Sequence, residues 1–141
     1  MKKENQKIQT TKSVTLKVLN SKITSSHGYL LIHGYVVNKS GIEIDYLVAI
    51  ASYFTSSNNL VKKADMIVDD SHLKPKFMSV FDITTSDDLR IDHADLSFKL
   101  LFGPELKAEG TIQLKINRKP ISGPFIDFEI RKNIVPKAKK N

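Results

Sequence analysis

The chain has 141 residues, enough for one domain with its own core. It holds no cysteine, which excludes disulfides, cysteine-ligated zinc, iron–sulfur clusters and thiol chemistry. The net charge of +7 points to an anionic partner until it is partitioned along the chain.

Residues 1–13 carry Lys2, Lys3, Lys7 and Lys12 against Glu4 alone. Residues 131–141 carry Arg131, Lys132, Lys137, Lys139 and Lys140 with no acid. Taking these nine cations from 22, and Glu4 from 15 acids, leaves 13 basic and 14 acidic residues in 14–130. The basicity therefore belongs to the two ends. Both lack apolar periodicity and are read as flexible extensions of one domain spanning 14–130. Glu4, Asn5 and Gln6 stand where the apolar run of a signal peptide would begin. No run approaches the ~20 apolar residues of a membrane helix.

In chain order, Val14, Leu16 and Val18 alternate with Thr15 and Lys17, the period-two pattern of a half-buried strand, with a kink expected at Asn20-Ser21 before Ile23. Thr24 to Gly28 reads as a turn. Tyr29 to Val37 is apolar on both parities and reads as a central strand. Asn38-Lys39-Ser40-Gly41 is a turn in which Asn and Gly tolerate left-handed backbone angles. Ile42 to Phe54 reads as one long strand with Ile44, Tyr46, Val48 and Ile50 on one parity; Ala49 and Ala51 are small enough to let another layer approach. Leu60-Val61 and Met66-Ile67-Val68 flank a charged stretch and predict a broken edge strand. Phe77, Ser79, Phe81 and Ile83 alternate after Pro75. Leu89–Asp92 is a weak helical or extended piece within a polar connection.

Leu96, Phe98, Leu100 and Phe102 alternate up to the Gly103-Pro104 break, then Ile112, Leu114 and Ile116, then Ile126, Phe128 and Ile130. That is about eight strands with no convincing amphipathic helix. The fold class is all-β: an immunoglobulin-like antiparallel β-sandwich, with a small β-barrel as the alternative. The predicted core includes Leu16, Val18, Leu31, Val48, Ile50, Phe81, Phe98, Leu100, Leu114 and Phe128.

The text GYVVNKS, then EIDYLVAIASYF, then a loop and Pro75-Lys76-Phe77, resembles the FxLYD-type immunoglobulin-like domains of bacteria and archaea. Asn38 falls at the Asn of their V-x-N strand ending. The chain departs from them in having Tyr53-Phe54-Thr55 and Asn58-Asn59 where Leu-Tyr-Asp and Gly are common. The resemblance covers about a third of the chain. It implies a non-enzymatic module of extracytoplasmic proteins, reached through a leader since removed; otherwise a cytoplasmic protein is expected. It transfers no catalytic residue.

Candidate chemistry is sparse. His27 and His72 lie in predicted turns, and His33 sits mid-strand as a sheet-face or core residue. No His-Glu-x-x-His spacing, G-x-S-x-G elbow or phosphate-cradling glycine loop occurs. Asp87, Asp88, Asp92 and Asp95, with His93 among them and Asp69-Asp70 as a further pair, form the densest acidic group. Their spacing matches no calcium loop, so they are read as solvated loop carboxylates. The aromatics fall mostly on apolar strand parities and do not interleave with cations, which disfavours base stacking. The sequence thus predicts no catalytic residue, cofactor or metal. It predicts a binding or assembly module acting through protein partners or self-association. The alternative is a nucleic-acid or anionic-surface binder using Lys2, Lys3, Lys7, Lys12, Arg131, Lys132, Lys137, Lys139 and Lys140.

Overall fold

The computed structural model of the protein describes residues 15–118, which form ten strands and no helix. They are β1 (Thr15–Ser26), β2 (Tyr29–Asn38), β3 (Ile44–Asp45), β4 (Leu47–Phe54), β5 (Leu60–Ile67), β6 (His72–Leu73), β7 (Met78–Ser86), β8 (His93–Leu100), β9 (Glu105–Gly110) and β10 (Gln113–Lys115). The expected strand at Ile126–Ile130, with Phe128, lies outside the described residues.

The strands run in the order β5-β4-β8-β9-β1-β2-β7, with β10 also on β8 and β3-β6 as a separate small sheet. The result is an immunoglobulin-like β-sandwich. One layer is β1-β2-β7 and the other β5-β4-β8-β10. Strand β9 belongs to both, pairing with β8 at Leu106 and then with β1 from Lys107 to Gly110. The far edges, β5 and β7, approach each other too. Lys62 Nζ on β5 donates to the Ser86 carbonyl at 2.6 Å, and Asp69 N donates to the Val80 carbonyl at 3.0 Å. The sandwich is thus close to a closed barrel. The β1–β9 pair is parallel, a departure from the wholly antiparallel expectation.

Hydrophobic alternation sets the layers. Along β2, Leu30, Ile32, Val36 and Asn38 point inward with Gly34, and Tyr29, Leu31, His33, Tyr35 and Val37 point outward. On β7, Phe81 and Ile83 point inward. From the other layer come Leu47, Ala49, Ala51 and Tyr53 of β4 and Ala94, Leu96 and Phe98 of β8. Phe81 and Phe98 meet edge to face across the core at 5.5 Å, the offset geometry that aromatic quadrupoles favour.

Of the predicted core, Leu16, Val18, Val48, Phe81, Phe98 and Leu114 are buried. Leu31 is 39% exposed because β2 turns its odd residues outward. Ile50 and Leu100 are only half-buried. Ile50 was misplaced because the predicted strand Ile42–Phe54 is two strands. Tyr46 adopts φ 51°, breaks the strand and reverses its parity. Ile44 is buried before the break; Leu47, Ala49, Ala51 and Tyr53 are buried after it.

Three further expectations change. The Asn38–Gly41 turn does not use left-handed angles, since neither residue has positive φ. The fully buried Asn38 side chain organises it instead. Its Nδ2 donates to the Ile42 and Leu73 carbonyls (2.7 and 3.0 Å), and its Oδ1 accepts from Ser40 N and Oγ (2.9 and 2.6 Å). The predicted broken edge Leu60–Ile67 is one continuous strand, because β4 pairs with it across the charged stretch. Leu89–Asp92 is a turn, and β9 arises from ELKAEG, where no strand was read.

Strand β1 continues past its predicted kink through a bulge, where Asn20 (φ 51°) and Ser21 oppose the single residue Gly34. A Cβ on Gly34 would lie 2.6 Å from Ser21 Oγ and 2.7 Å from the Phe81 ring, so no other residue fits there unstrained. Beyond the bulge, His27 and Gly28 close the hairpin with φ 51° and 83°, a type I′ signature.

Candidate functional site

The outer face of β1, β2 and β7 is a broad, largely apolar surface facing solvent. Strand register makes it a ladder of rows, each reading β7, β2, β1: Ser86-Tyr29-Ser26, Thr84-Leu31-Thr24, Asp82-His33-Lys22, Val80-Tyr35-Leu19 and Met78-Val37-Lys17. Tyr29 is 56% exposed, Leu31 39% and Met78 54%. Phe77 (59%) lies at the rim beside Met78.

The polar row crosses the middle of this stripe. His33 Nδ1 lies 2.6 Å from Asp82 Oδ1, and the His33 ring sits edge-on to Tyr35 at 5.3 Å between centroids. Lys22 flanks His33 on the other side and has no ion-pair partner among the described residues. The outer face of the opposite layer differs. There Lys99, Ser97, Asp95 and His93 of β8, and Asp65 and Lys63 of β5, flank the half-buried Ile50, Ser52 and Phe54 of β4, and the exposed apolar Ile67 and Leu60 of β5 lie at its edge. That face interleaves charge with its apolar residues strand by strand, whereas the β2 stripe confines its charge to a middle row and the Lys17 position.

The acidic group does not converge on one point. Arg118 grips Asp87 with two bonds, Nη1 to Oδ2 at 2.9 Å and Nη2 to Oδ1 at 2.8 Å, and Ser25 Oγ adds a third at 2.6 Å. These hold the Asp87 carboxyl well below the usual carboxylate range, Arg118 contributing most. Arg90 grips Asp88 through Nε and Nη2 and lowers it to about 2. Asp92 is lowered by His93 first and then by Lys115. His93 stacks on Phe54 at 5.4 Å. Asp95 stands apart on the outer face of β8. Asp87, Asp88 and Asp92 thus form ion pairs around the β7–β8 connection, their oxygens held by the protein's own cations.

Another cluster was invisible in the sequence. Glu43, Asp45 and His72 bring ligand-type atoms within 4.8 Å of one another, all exposed. The β3–β6 pairing opposes Asp45 to His72, with His72 Nδ1 2.9 Å from Asp45 Oδ1. This bond lowers the Asp45 carboxyl and raises the His72 imidazole. Nothing local in the sequence links residues 27 positions apart, so only the tertiary pairing reveals it. All three are solvated, and the arrangement reads as a surface ion pair.

Burial pushes the Tyr53 phenol up to about 12, and its OH, like Ser21 Oγ, has no hydrogen-bond partner among the described residues. The predicted anionic-surface residues Lys2, Lys3, Lys7, Lys12, Arg131, Lys132, Lys137, Lys139 and Lys140 all lie outside the described residues. Among the described residues no helix is long and apolar enough to cross a membrane.

No protein-family model and no curated protein matches the chain. Solved structures do. The archaellum periplasmic stator protein complex FlaF and FlaG from Sulfolobus acidocaldarius matches at 13% identity and TM-score 0.43, over 64% of this chain and 84% of that one. The C-terminal domain of Wzt matches at 13% and 0.44, over 70% and 65%. The CARDB domain of a Pyrococcus furiosus protein, in complex with di-metal ions, matches at 13% and 0.40, over 74% and 92%. All three lie below a TM-score of 0.5, and the likeness extends to no residue's role.

Proposed function

We propose that the protein is a non-catalytic interaction module that binds a protein partner through the outer face of β1, β2 and β7. The observation carrying this reading is the stripe Tyr29, Leu31, Tyr35 and Val37, widened by Leu19, Val80 and Met78, which runs unbroken across three paired strands apart from one charged row. An exposed apolar surface rimmed by polar residues is the usual mark of an interaction site. Tyr and Met are also residue types enriched in such sites.

The finer kinship with FxLYD-type domains belongs to this proposal. What supports it is Asn38, whose buried side chain ties together the turn after β2, the Ile42 carbonyl and the Leu73 carbonyl. The division into one domain with two basic ends is likewise proposed, resting on the charge partition.

The test is site-specific photo-crosslinking in cells, with the reactive residue at Leu31 in one variant and at Ser97, on the opposite outer face, in another. Discrete protein adducts at Leu31 and none at Ser97 are expected. Equal labelling at both, or none at Leu31, refutes the reading.

A further inference from the structure

We infer that the partner on this face is a second copy of the chain, packed face to face with the twofold axis running along β2. The inference rests on the interaction reading above and adds the partner's identity and orientation. Its basis is the charged row in the middle of the stripe. Across that row the order is Asp82, His33, Lys22, an anion about 5 Å to one side of the central strand and a cation about 5 Å to the other.

A sheet face meeting its own copy has two simple symmetric arrangements. With the twofold axis across the strands, through His33, each residue of the row lies over its own counterpart. Lys22 then faces Lys22 and Asp82 faces Asp82, two like-charge contacts at the centre of an apolar interface. With the axis along β2, left and right exchange while each row stays at its own height. Lys22 of one copy then lies over Asp82 of the other, twice. The same operation sets Leu19 over Val80, Thr24 over Thr84, and the stem of Lys17 over Met78, while Tyr29, Leu31 and Tyr35 meet near the axis. Only this arrangement pairs unlike charges and apolar groups together. Because Lys22 has no ion-pair partner within its own chain among the described residues, it is free to take one.

The extent of the face sets the strength. Eight residue steps from Tyr29 to Val37 span about 27 Å, and three strands are about 14 Å wide. That is near 400 Å² per copy, about 800 Å² in all and below the ~1,000 Å² of stable specific interfaces, so the dimer is weak, transient and concentration-dependent.

The purified full chain is examined by sedimentation velocity from about 1 to 200 µM at low and at physiological salt. A reversible monomer–dimer equilibrium is expected. Lys22→Asp and Asp82→Lys, both at solvent-facing positions, each turn the two central contacts repulsive and weaken the dimer at least ten-fold. That loss relative to wild type reports the axis, because the arrangement across the strands already holds two like-charge contacts in the wild type; mixing the two variants then tests the face, since their heterodimer has two attractive contacts and re-forms when neither variant dimerises alone. Variants that dimerise as well as wild type overturn the axis, failure of the mixture to dimerise overturns the face, and either overturns the inference. Leu31→Lys serves as a second variant should either charge reversal fail to fold; a dimer unaffected by it uses another surface and overturns the inference too. A wild-type chain that stays monomeric to 200 µM also overturns it. In that case a Leu31 crosslink to a different protein leaves the interaction reading standing, whereas no crosslink at all removes both.

Discussion

The ion pair between Arg118 and Asp87 offers a quantitative check on how the end of β10 is held. Arg118 follows β10 and reaches back to the β7–β8 connection, donating to both Asp87 oxygens at 2.9 and 2.8 Å and to the Asp88 carbonyl at 3.2 Å. The Asp87 side chain is 12% exposed and that of Arg118 27%. Charge-assisted hydrogen bonds contribute about 1.5–3 kcal/mol each in a dry setting. The pair keeps contact with water, and screening takes it to the low end, so Arg118→Gln should cost about 2 kcal/mol at pH 7. The pH dependence carries the sharper signature. Asp87 is held below its unfolded value of about 3.9, so the stability it contributes is fully present above that value. It is lost as pH falls toward the depressed folded value. The gap between wild type and Arg118→Gln, measured by urea denaturation, should therefore be constant from pH 7 to 5 and shrink between about pH 4 and 2. A gap below about 0.5 kcal/mol at pH 7, or one unchanged down to pH 2.5, refutes the assignment.

Asn38→Leu should cost about 3–4 kcal/mol, since it keeps the volume but strands the Ile42 and Leu73 carbonyls and frees the Ser40 turn; a urea midpoint equal to wild type would contradict this. Phe98→Ala should cost ~3–5 kcal/mol by emptying the core beside Phe81, and a loss under about 1 kcal/mol would mean the core is not packed as described. Calcium at about 1 mM should leave the melting temperature within about a degree, because Asp87 and Asp88 already hold Arg118 and Arg90; a rise of several degrees would reassign those carboxylates. Affinity for anionic vesicles should reside in the ends. Replacing Lys2, Lys3, Lys7, Lys12, Arg131, Lys132, Lys137, Lys139 and Lys140 by Gln should abolish it at about 150 mM salt, where each tail cation near the surface contributes about 1 kcal/mol or less. Binding that survives would locate a basic patch within residues 14–130.

The strands legible in the sequence were those with one wet face. Leu16 and Val18, Phe81 and Ile83, and Leu96 and Phe98 alternate because their neighbours are solvated, and period-two patterning survives without knowledge of the partner strand. Elements were missed where pairing overrode pattern. Strand β9 is ELKAEG, with one buried residue, Leu106, and it is a strand because β8 and β1 both offer it backbone partners. Tyr46 was read as continuing a strand, since nothing in a β-prone aromatic announces a left-handed backbone. The candidate face was half legible. Strand β2 was seen to be apolar on both parities, but this was read as central burial, and Leu31 was placed in the core on that account.

By itself the sequence determined the fold class, the lack of thiol chemistry and the placement of basic charge at the ends, because composition and local periodicity are properties of the chain. It also singled out Asn38, though for backbone tolerance rather than for the hydrogen bonds it makes. Tertiary structure decided everything that depends on register. It set Asp82 and Lys22 on either side of His33, gave the acidic residues at 87 and 88 to Arg118 and Arg90, and lined up Tyr29, Leu31 and Tyr35 with Leu19 and Val80 on one outer face. The physical reason is that a strand's pattern specifies which residues share a face, while the neighbours across that face come from segments remote in the chain.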